Sequence, residues 1–147
     1  MRIAIDAMGG EGGAALNVPA SIAALEAIDN LALVIVGQKT LIQPHLQGIN
    51  SGILDRIELL HTDAAIRDDE KPAQVIRGDK RSSMYLAVEL VKKGSVQAMV
   101  SAGNTGALLM AGRHLLKTIP GIQKPAIVAT LPGLSKPTYL LDANSFN

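Results

Sequence analysis

Cysteine is absent from the 147-residue sequence. The chain therefore has no disulfide, no thiolate metal ligand and no cysteine nucleophile, and its composition is compatible with a reducing cytoplasm. Tryptophan is absent too, and aromatic residues make up only 2% of the chain, too few for a stacking platform that binds single-stranded nucleic acid. The hydrophobic fraction is 48% and mainly aliphatic, which favours helices packed closely on a sheet.

A large charge of one sign and long apolar runs are also lacking. The formal net charge is +1, so no basic excess is available to neutralise a nucleic-acid backbone, and we expect no nucleic-acid partner. The most apolar run, LALVIV at residues 31–36, is too short to span a bilayer, and the first apolar segment is too short for an export signal. These features predict a soluble protein and leave contact with a membrane surface open.

The residue patterns of two kinds of catalytic site, a zinc site and a serine-hydrolase site, are missing from the sequence. The three histidines, His45, His61 and His114, lie in separate predicted elements without metal-ligand spacing, so we expect them to be structural or surface residues and expect no metal. No GxSxG motif occurs, which leaves serine-hydrolase chemistry unsupported.

What the sequence does contain is a regular alternation of strands and helices. Short apolar or β-branched runs predict strands at residues 2–6, 31–37, 56–62, 96–100, 126–131 and 138–142. A length of 147 residues suits one domain, and short loops between alternating strands and helices imply right-handed crossovers. We therefore predict a single α/β domain over residues 1–147, with a mostly parallel sheet and helices on both of its faces.

The first predicted helix, residues 16–28, is rich in alanine. Its apolar residues follow a near-helical period, and we expect this stripe to face the sheet: Leu16, Ala20, Ala23 and Ile28. A second, polar helix is predicted at about residues 40–47.

The third predicted helix follows a highly charged stretch, residues 63–81, which we expect to form an exposed excursion. Ser82 or Ser83 is suited to cap this helix. Its apolar stripe obeys the i, i+3, i+4, i+7 rule at Met84, Ala87, Val88 and Val91. A fourth helix begins at the stretch SAGNTGA, residues 101–107, and continues through Leu116.

The stretch SAGNTGA lies where a strand gives way to a helix. At such junctions the helix N-terminus offers unpaired amides and the helix dipole favours an anion. Gly103 and Gly106 let the backbone approach a ligand, while Ser101, Asn104 and Thr105 offer side-chain donors. A purely structural interpretation has equal weight, because Asn104 or Thr105 is also a good helix cap and the glycines suit a tight turn.

The first junction, DAMGGEGGAA at residues 6–15, contains Gly10, Gly12 and Ala15 in the GxGxxA spacing of dinucleotide-binding folds. This match motivates an alternative function, an NAD(P)-dependent dehydrogenase. The match is weak, because the second strand ends in Gly37 and Gln38 where such a fold needs an acidic residue for the ribose.

Two predicted strands end in an aspartate. In an open α/β sheet the carboxyl ends of the strands form the edge at which ligands bind. Asp6 closes the first strand and Asp142 the last. Each is suited to orient a substrate or hold a cation, or simply to accept hydrogen bonds from loop amides.

Several motifs in order resemble the bacterial phosphate acyltransferase (PlsX) family of phospholipid synthesis. They are IDAMGG, KPAQVIRGDKRSSM followed by VELVKKG, SAGNTGALLMAG, LLKTIPGIQKPAI and LLD, and they extend over residues 1–142. The resemblance implies a three-layer αβα sandwich similar to isocitrate and isopropylmalate dehydrogenases and to phosphotransacetylases. It also implies a homodimer that transfers a fatty acyl group from acyl carrier protein to inorganic phosphate, needs no cofactor, and serves glycerol-phosphate acylation at the membrane.

The resemblance also implies roles for particular residues. In this reaction phosphate itself is the nucleophile. The protein therefore needs only to hold phosphate beside the thioester carbonyl and to stabilise the tetrahedral oxyanion that forms. Catalytic roles fall on Asn104, Thr105 and Asp6. Phosphate or substrate contacts fall on Gly9, Gly10, Arg77, Ser82, Ser83, Ser101, Gly103, Gly106 and Asp142. Ser82 and Ser83 also have a simpler interpretation as an ordinary helix start, and Arg77 as part of a solvated loop.

Three departures from the family pattern bear on activity. Glu11 and Ala14 stand where the family usually has Asp and Pro. The family continues Leu-Asp-Leu-Gly-Ala-Asn, whereas this chain reads Leu-Asp-Ala-Asn-Ser-Phe-Asn, so Asn144 is given no role. The second half of the family's domain is absent. We therefore predict an N-terminal part of a longer family domain, doubtful in activity alone, with a non-catalytic fragment that binds anions or a partner through an unfinished sheet as an alternative.

Overall fold

A computed structural model describes residues 1–66, 81–123 and 125–142 of the chain. It divides into two compact units, Met1–Leu116 and the residues from Lys117 onward. In the first unit the strands are β1 (Arg2–Asp6), β2 (Ala32–Gly37), β3 (Ile57–His61) and β4 (Ala98–Ser101). Its helices are α1 (Gly13–Ala27), α2 (Lys39–Ile42), α3 (Ser51–Leu54), α4 (Ser83–Lys92) and α5 (Thr105–Leu115). The second unit contains β5 (Ile127–Leu131) and β6 (Thr138–Asp142).

The first unit is built on a parallel sheet in the order β3-β2-β1-β4. The register pairs Asp6 of β1 with Val36 of β2 on one side and with Ser101 of β4 on the other. The carboxyl ends of these strands therefore lie together at one edge. Strand β2 is buried along nearly its whole length, as expected for a central parallel strand covered on both faces.

Helices cover both faces of this sheet, and the alternation of side chains along the strands decides which helix meets which residue. On one face, Leu33 and Ile35 pack in a cluster with α1. On the opposite face, Ala4, Val34 and Val36 pack with Ala87 of α4. The predicted α/β architecture, a parallel sheet between helical layers, is confirmed.

The apolar stripe predicted for α1 is not the stripe that the structure buries, so this prediction was wrong. Leu16 is 63% exposed and Ile28 41% exposed. The buried stripe is instead Ala14, Val18, Ser21, Ile22 and Leu25. An alanine-rich helix carries two stripes of almost equal hydrophobicity, so spacing alone does not decide between them. The stripe with larger branched side chains in mid-helix buries more apolar area against the sheet.

The predicted helix over residues 40–47 is a single turn of α-helix, α2, followed by a 3₁₀ helix at Gln43–Leu46 that carries Pro44 in its first turn. The missing proline N–H explains why the α-helix does not continue. Helix α4 begins as predicted, because Ser82 Oγ accepts a hydrogen bond from the amide of Tyr85. Among the residues described, no helix has both the length and the apolar character needed to cross a membrane.

Strands β5 and β6 occur where they were predicted, but they do not join a parallel sheet. They pair antiparallel with each other and form a two-stranded sheet of their own. The connection between them is too short for the crossover that a parallel pair requires.

The side chain of Arg56 stabilises the C-terminal end of α1. Its guanidinium donates to four carbonyl oxygens there, those of Leu25, Ile28, Asp29 and Leu31, at 2.7 to 3.3 Å, and its Nε donates to Gly52 O. A helix C-terminus leaves its last carbonyls without intrahelical partners and carries partial negative charge. One half-buried side chain therefore anchors α1 to the turn that precedes β3.

We expect Arg56→Met to lower the free energy of unfolding by about 1.5 kcal/mol, because it keeps the aliphatic length but removes charged hydrogen bonds. Urea unfolding followed by circular dichroism measures the change. Arg113→Met is a suitable control because Arg113 lies on the exposed side of α5, and its loss is expected to change stability by less than about 0.5 kcal/mol. Equal losses in the two variants would contradict the proposed role of Arg56.

Candidate functional site

The candidate site lies where the loops after β1 and β4 meet. These strands are neighbours and parallel, so the loop leading into α1 and the loop leading into α5 leave the same edge of the sheet. The pairing of β1 with β4 thus brings together two glycine-rich sequences about 95 residues apart, and the hydrogen bond from Ser101 to Asp6 joins them. Binding at the carboxyl ends of parallel strands is the general rule for open α/β sheets.

A short chain of hydrogen bonds joins the two loops. Ser101 Oγ donates to Asp6 Oδ2 at 2.6 Å and accepts from the amide of Gly103 at 3.1 Å. The other oxygen of Asp6 accepts from the amide of Met8 at 3.3 Å. Asp6 is almost fully buried, so its carboxylate is held by protein groups from both loops. The arrangement fixes the position of one loop relative to the other.

The two loops also touch backbone to backbone. A Cβ placed on Gly9 would lie 2.8 Å from the amide nitrogen of Gly103 and 2.8 Å from Asp6 Oδ2. A Cβ on Gly103 would lie 3.1 Å from Gly9 Cα. Only glycine permits this approach at position 9. Gly10 has a φ of +77° and lies against the carbonyl of Ala102, so it combines a left-handed backbone with a close contact.

The N-terminus of α5 faces this junction, and Asn104 is its cap. Asn104 Oδ1 accepts from the amide of Ala107 at 3.0 Å, so the structural interpretation of Asn104 is correct as far as capping is concerned. Among the residues described, the amides of Thr105 and Gly106 have no protein acceptor. Thr105 is exposed. Within the described residues the helix therefore presents two N–H groups without an acceptor, together with its positive dipole end, and both are suited to an anion.

Asn17 on α1 is a site residue that the sequence analysis missed. Its Nδ2 donates to the carbonyls of Gly9 at 2.8 Å and Ala7 at 3.1 Å. Both acceptors belong to the loop after β1, so Asn17 holds that loop in the shape in which Gly9 meets Gly103. The available signal was an isolated amide side chain early in an alanine-rich helix, eight residues after Gly9.

The start of α4 borders the same junction. Met84 Cε would lie 3.2 Å from a Cβ on Gly103, which places this helix end beside the loop after β4. Ser82 and Ser83 are both buried, at 2% and 1% exposure. Ser82 Oγ is the helix cap, and the amide of Ser83 donates to Ala64 O at 3.0 Å. In the described chain both serines serve structure, and contact with a ligand stays a prediction.

Hydrogen bonds hold the described residues at the two ends of the charged stretch, residues 63–81. Thr62 Oγ1 donates to Arg81 O and accepts from the amide of Ala64 at 3.2 Å. These contacts join the end of β3 to the start of α4. Arg77 lies outside the described residues, so its predicted role is untested.

Three other residues discussed above are Asp142, His61 and Gln38. Asp142 is the last residue of β6, in the second unit, and its role stays a prediction. His61 Nδ1 accepts from the amide of Lys39 at 3.3 Å, so this histidine helps to begin α2. Within the part of the chain that the structure describes, no three side chains converge as a metal site requires. Gln38, which follows β2, donates to Asp63 O. It stands where a dinucleotide-binding fold has the carboxylate that binds the ribose.

The sequence is similar to proteins of a known family. A family model described as "Fatty acid synthesis protein" matches residues 1–145. The chain belongs to this family. The phosphate acyltransferase of Shewanella sediminis is 47% identical over 143 residues, which are 97% of this chain and 42% of the relative. The phosphate acyltransferase of Halorhodospira halophila is 46% identical over 142 residues, 97% of this chain and 41% of that protein.

The predicted resemblance to the phosphate acyltransferase family is thereby confirmed. The chain spans about 42% of the length of the curated relatives that it matches. Residues 1–145, which the family model matches, include the loops after β1 and β4 described above.

Proposed function

We propose that this chain carries the phosphate-binding part of a phosphate acyltransferase, which transfers a fatty acyl group from acyl carrier protein to inorganic phosphate. The family membership and the names of the relatives support this function. The observation that carries it is the pair of amides of Thr105 and Gly106, which have no acceptor among the described residues and lie where the two glycine-rich loops meet. Whole-protein activity belongs to a longer chain, because the relatives are more than twice as long.

The proposed reaction requires little chemistry from side chains. A phosphate oxygen attacks the thioester carbonyl, and the carbonyl electron pair moves onto oxygen to give a tetrahedral oxyanion. The oxyanion collapses and the carbon–sulfur bond breaks, so that sulfur leaves with the bonding electron pair. It takes up the proton that hydrogen phosphate loses, which gives the carrier-protein thiol and acyl phosphate. The protein has to hold the phosphate beside the carbonyl and to stabilise the oxyanion, which oriented amides do well in a site with little water.

The residues divide into donors and positioning residues under this proposal. Thr105 and Gly106 offer free amides, and Thr105 adds an exposed hydroxyl. Asp6 is a positioning residue, because both of its oxygens accept from protein groups and its charge would repel a phosphate in direct contact. Ser101 transmits that positioning to Gly103, and Gly9 and Gly10 form the facing wall.

The positive charge that a phosphate dianion needs is assigned to Arg77. Guanidinium groups bind phosphate oxygens in a bidentate manner. Arg77 lies four residues before Arg81 in the sequence. The carbonyl of Arg81 is held to Thr62 at the end of β3. Ser82 and Ser83 complete this second wall by fixing the start of α4.

Broader features of the family are part of the same proposal. They are a three-layer αβα sandwich of the isocitrate dehydrogenase type, one domain of which residues 1–147 are the N-terminal part, and a homodimer without a cofactor. We place the protein in the cytoplasm, with peripheral contact at the inner face of the membrane where acyl phosphate is consumed. Asp142 is assigned to the substrate rim of the completed domain.

A phosphate titration of the ¹⁵N-labelled chain tests the site. We expect the amide signals of Thr105, Gly106, Gly9 and Gly10 to shift together and to saturate. The expected dissociation constant is about 1 to 10 mM, which corresponds to about 3 to 4 kcal/mol and thus to a few hydrogen bonds. Sodium chloride at matched ionic strength is the control. Shifts that do not saturate, or that chloride reproduces, would show that the helix start is only a cap.

A further inference from the structure

The side chain of Asn17 on α1 binds the loop after β1 from one side. Its Nδ2 donates to the carbonyl oxygens of Gly9 at 2.8 Å and Ala7 at 3.1 Å, and it lies 3.5 Å from the carbonyl oxygen of Asp6. Three carbonyl oxygens around one atom require a donor there, which fixes the orientation of the side-chain amide. Two peptide groups of the loop therefore have their carbonyls directed at one side chain.

These two carbonyl bonds also fix the direction of two N–H groups. No peptide bond among the described residues is cis, and in a trans peptide the C=O and the following N–H point in opposite directions. Because the carbonyl of Ala7 points at Asn17, the N–H of Met8 points away from it and donates to Asp6 Oδ1 at 3.3 Å. The carbonyl of Gly9 points at Asn17 too, so the N–H of Gly10 also points away from Asn17.

The loop after β4 borders the side of the β1 loop that faces away from Asn17. The carboxylate that accepts from Met8 is bonded there to Ser101. Gly10 itself touches that loop, since a Cβ placed on it would lie 2.8 Å from the carbonyl oxygen of Ala102. Asn17 and the loop after β4 therefore enclose Gly10 between them.

The amide of Gly10 has no acceptor among the described residues, although Gly10 is half-buried. The next two residues, Glu11 and Gly12, are exposed, so water reaches their amides. A backbone donor that is withdrawn from water costs free energy unless an acceptor meets it. The position of Gly10 beside the loop that leads into α5 makes an oxygen of a bound anion a suitable acceptor.

We propose that Asn17 is a positioning residue that aims the N–H of Gly10 at phosphate, which makes Gly10 a third donor beside Thr105 and Gly106. This inference rests on the proposed function and adds a residue to its site. The donors then come from both loops, so the anion is held only while the loops stay together. A donor on the loop after β1 also offsets the charge of Asp6, which repels phosphate.

A phosphate titration of the ¹⁵N-labelled chain, unchanged and as Asn17→Asp, tests the proposal. Aspartate keeps the size of the side chain but replaces its donor with an oxygen that repels the loop carbonyls. In the unchanged chain we expect phosphate to move the proton signal of Gly10 downfield, with the same dissociation constant as the signals of Thr105 and Gly106. In the variant we expect this Gly10 response to disappear. The dissociation constant read from Thr105 and Gly106 should rise about 10-fold, as for the loss of one hydrogen bond to a charged group.

Ser21→Ala is the matched control. Ser21 is buried on the same helix, and its Oγ donates to the backbone carbonyl of Asn17 at 2.7 Å. The control removes a hydrogen bond at residue 17 but leaves the Asn17 side chain on the loop, so we expect the Gly10 response and the phosphate affinity to be unchanged.

Asn17→Ala provides a second variant if aspartate prevents folding. Alanine favours the helix and introduces no charge, and it also removes the donor to the loop carbonyls. We expect the same loss of the Gly10 response, while the signals of Thr105 and Gly106 still respond to phosphate.

Two results would overturn the proposal and leave the proposed function in place. One is a Gly10 signal that responds equally in the unchanged chain and in both Asn17 variants, because Asn17 then does not aim this amide. The other is a Gly10 signal that does not respond in the unchanged chain although Thr105 and Gly106 do, because Gly10 is then no donor. If none of these amides gives a saturable response, the phosphate site itself is wrong and the proposal fails with it.

Discussion

Replacing Thr105 with proline is expected to lower the rate of acyl phosphate formation about 100-fold, the usual effect of removing one oxyanion or anion donor. Proline removes the free N–H of the first helical residue and the threonine hydroxyl together. The measurement is the phosphate-dependent release of carrier-protein thiol from acyl carrier protein, with residues 1–142 joined to the C-terminal portion of the Shewanella sediminis relative.

The helix itself should tolerate this change. Proline is favoured at the first position of a helix, where its missing N–H breaks no intrahelical bond. A residue that precedes proline has to avoid the right-handed helical region, and Asn104 does so, with φ −53° and ψ 110°. An Asn104 variant would be a poorer test, because loss of the cap on Ala107 costs about 1 kcal/mol of stability by itself.

Thr105→Ala separates the hydroxyl from the amide. It keeps the N–H, so we expect it to lower the rate only about 10-fold, as for the loss of one hydrogen bond of about 1.4 kcal/mol. The ratio between the two variants isolates the contribution of the amide. Identical rates in the two variants would remove the amide from the mechanism, and full activity in both would reduce the loop to a structural cap.

The sequence predicted those features of the fold that depend on neighbouring residues. The strands end where glycine or polar residues interrupt apolar runs. The caps predicted at Ser82 or Ser83 and at Asn104 or Thr105 form at Ser82 and Asn104, each three residues before the amide that donates to it. Such contacts are visible in the sequence because the spacing of donor and acceptor is fixed by helix geometry.

The sequence did not predict contacts between distant segments. Arg56 binds carbonyls 25 to 31 residues earlier, and nothing in its local spacing identifies them. The bond between Ser101 and Asp6 depends on β4 lying beside β1, which follows from sheet order rather than from either motif. Asn17 was missed for the same reason, because its acceptors are carbonyls of a loop whose shape is set by the neighbouring strand.

The candidate site, too, has a part that the sequence predicted and a part that depends on contacts between distant segments. The two glycine-rich loops meet as expected, because parallel strands end at a common edge. The sequence did not show that Asp6 is fully engaged by protein groups, since that depends on the distance between the loops. Burial of a carboxylate is tolerated when its oxygens accept hydrogen bonds, which explains how an acidic residue is accommodated beside a proposed anion site.

The contact between the loops can be tested with a single methyl group. We expect Gly9→Ala to lower the free energy of unfolding by about 3 kcal/mol, the upper range for overpacking. The added Cβ would lie 2.8 Å from Gly103 N and Asp6 Oδ2 and 2.9 Å from Ser101 Oγ. Two of these atoms belong to short side chains in the Asp6–Ser101 hydrogen bond and the third to backbone, so none moves aside freely.

Gly112→Ala is the matched control, because it adds the same methyl group in the middle of α5, where a Cβ meets no atom within 4 Å. Alanine is the better helix former there and should raise stability by about 0.5 to 1 kcal/mol. Urea unfolding of the two variants thus compares one chemical change with opposite expected signs. If Gly9→Ala instead proved neutral and left phosphate affinity unaltered, the loops would not need to be in contact, and the inference that their packing creates the anion site would fail.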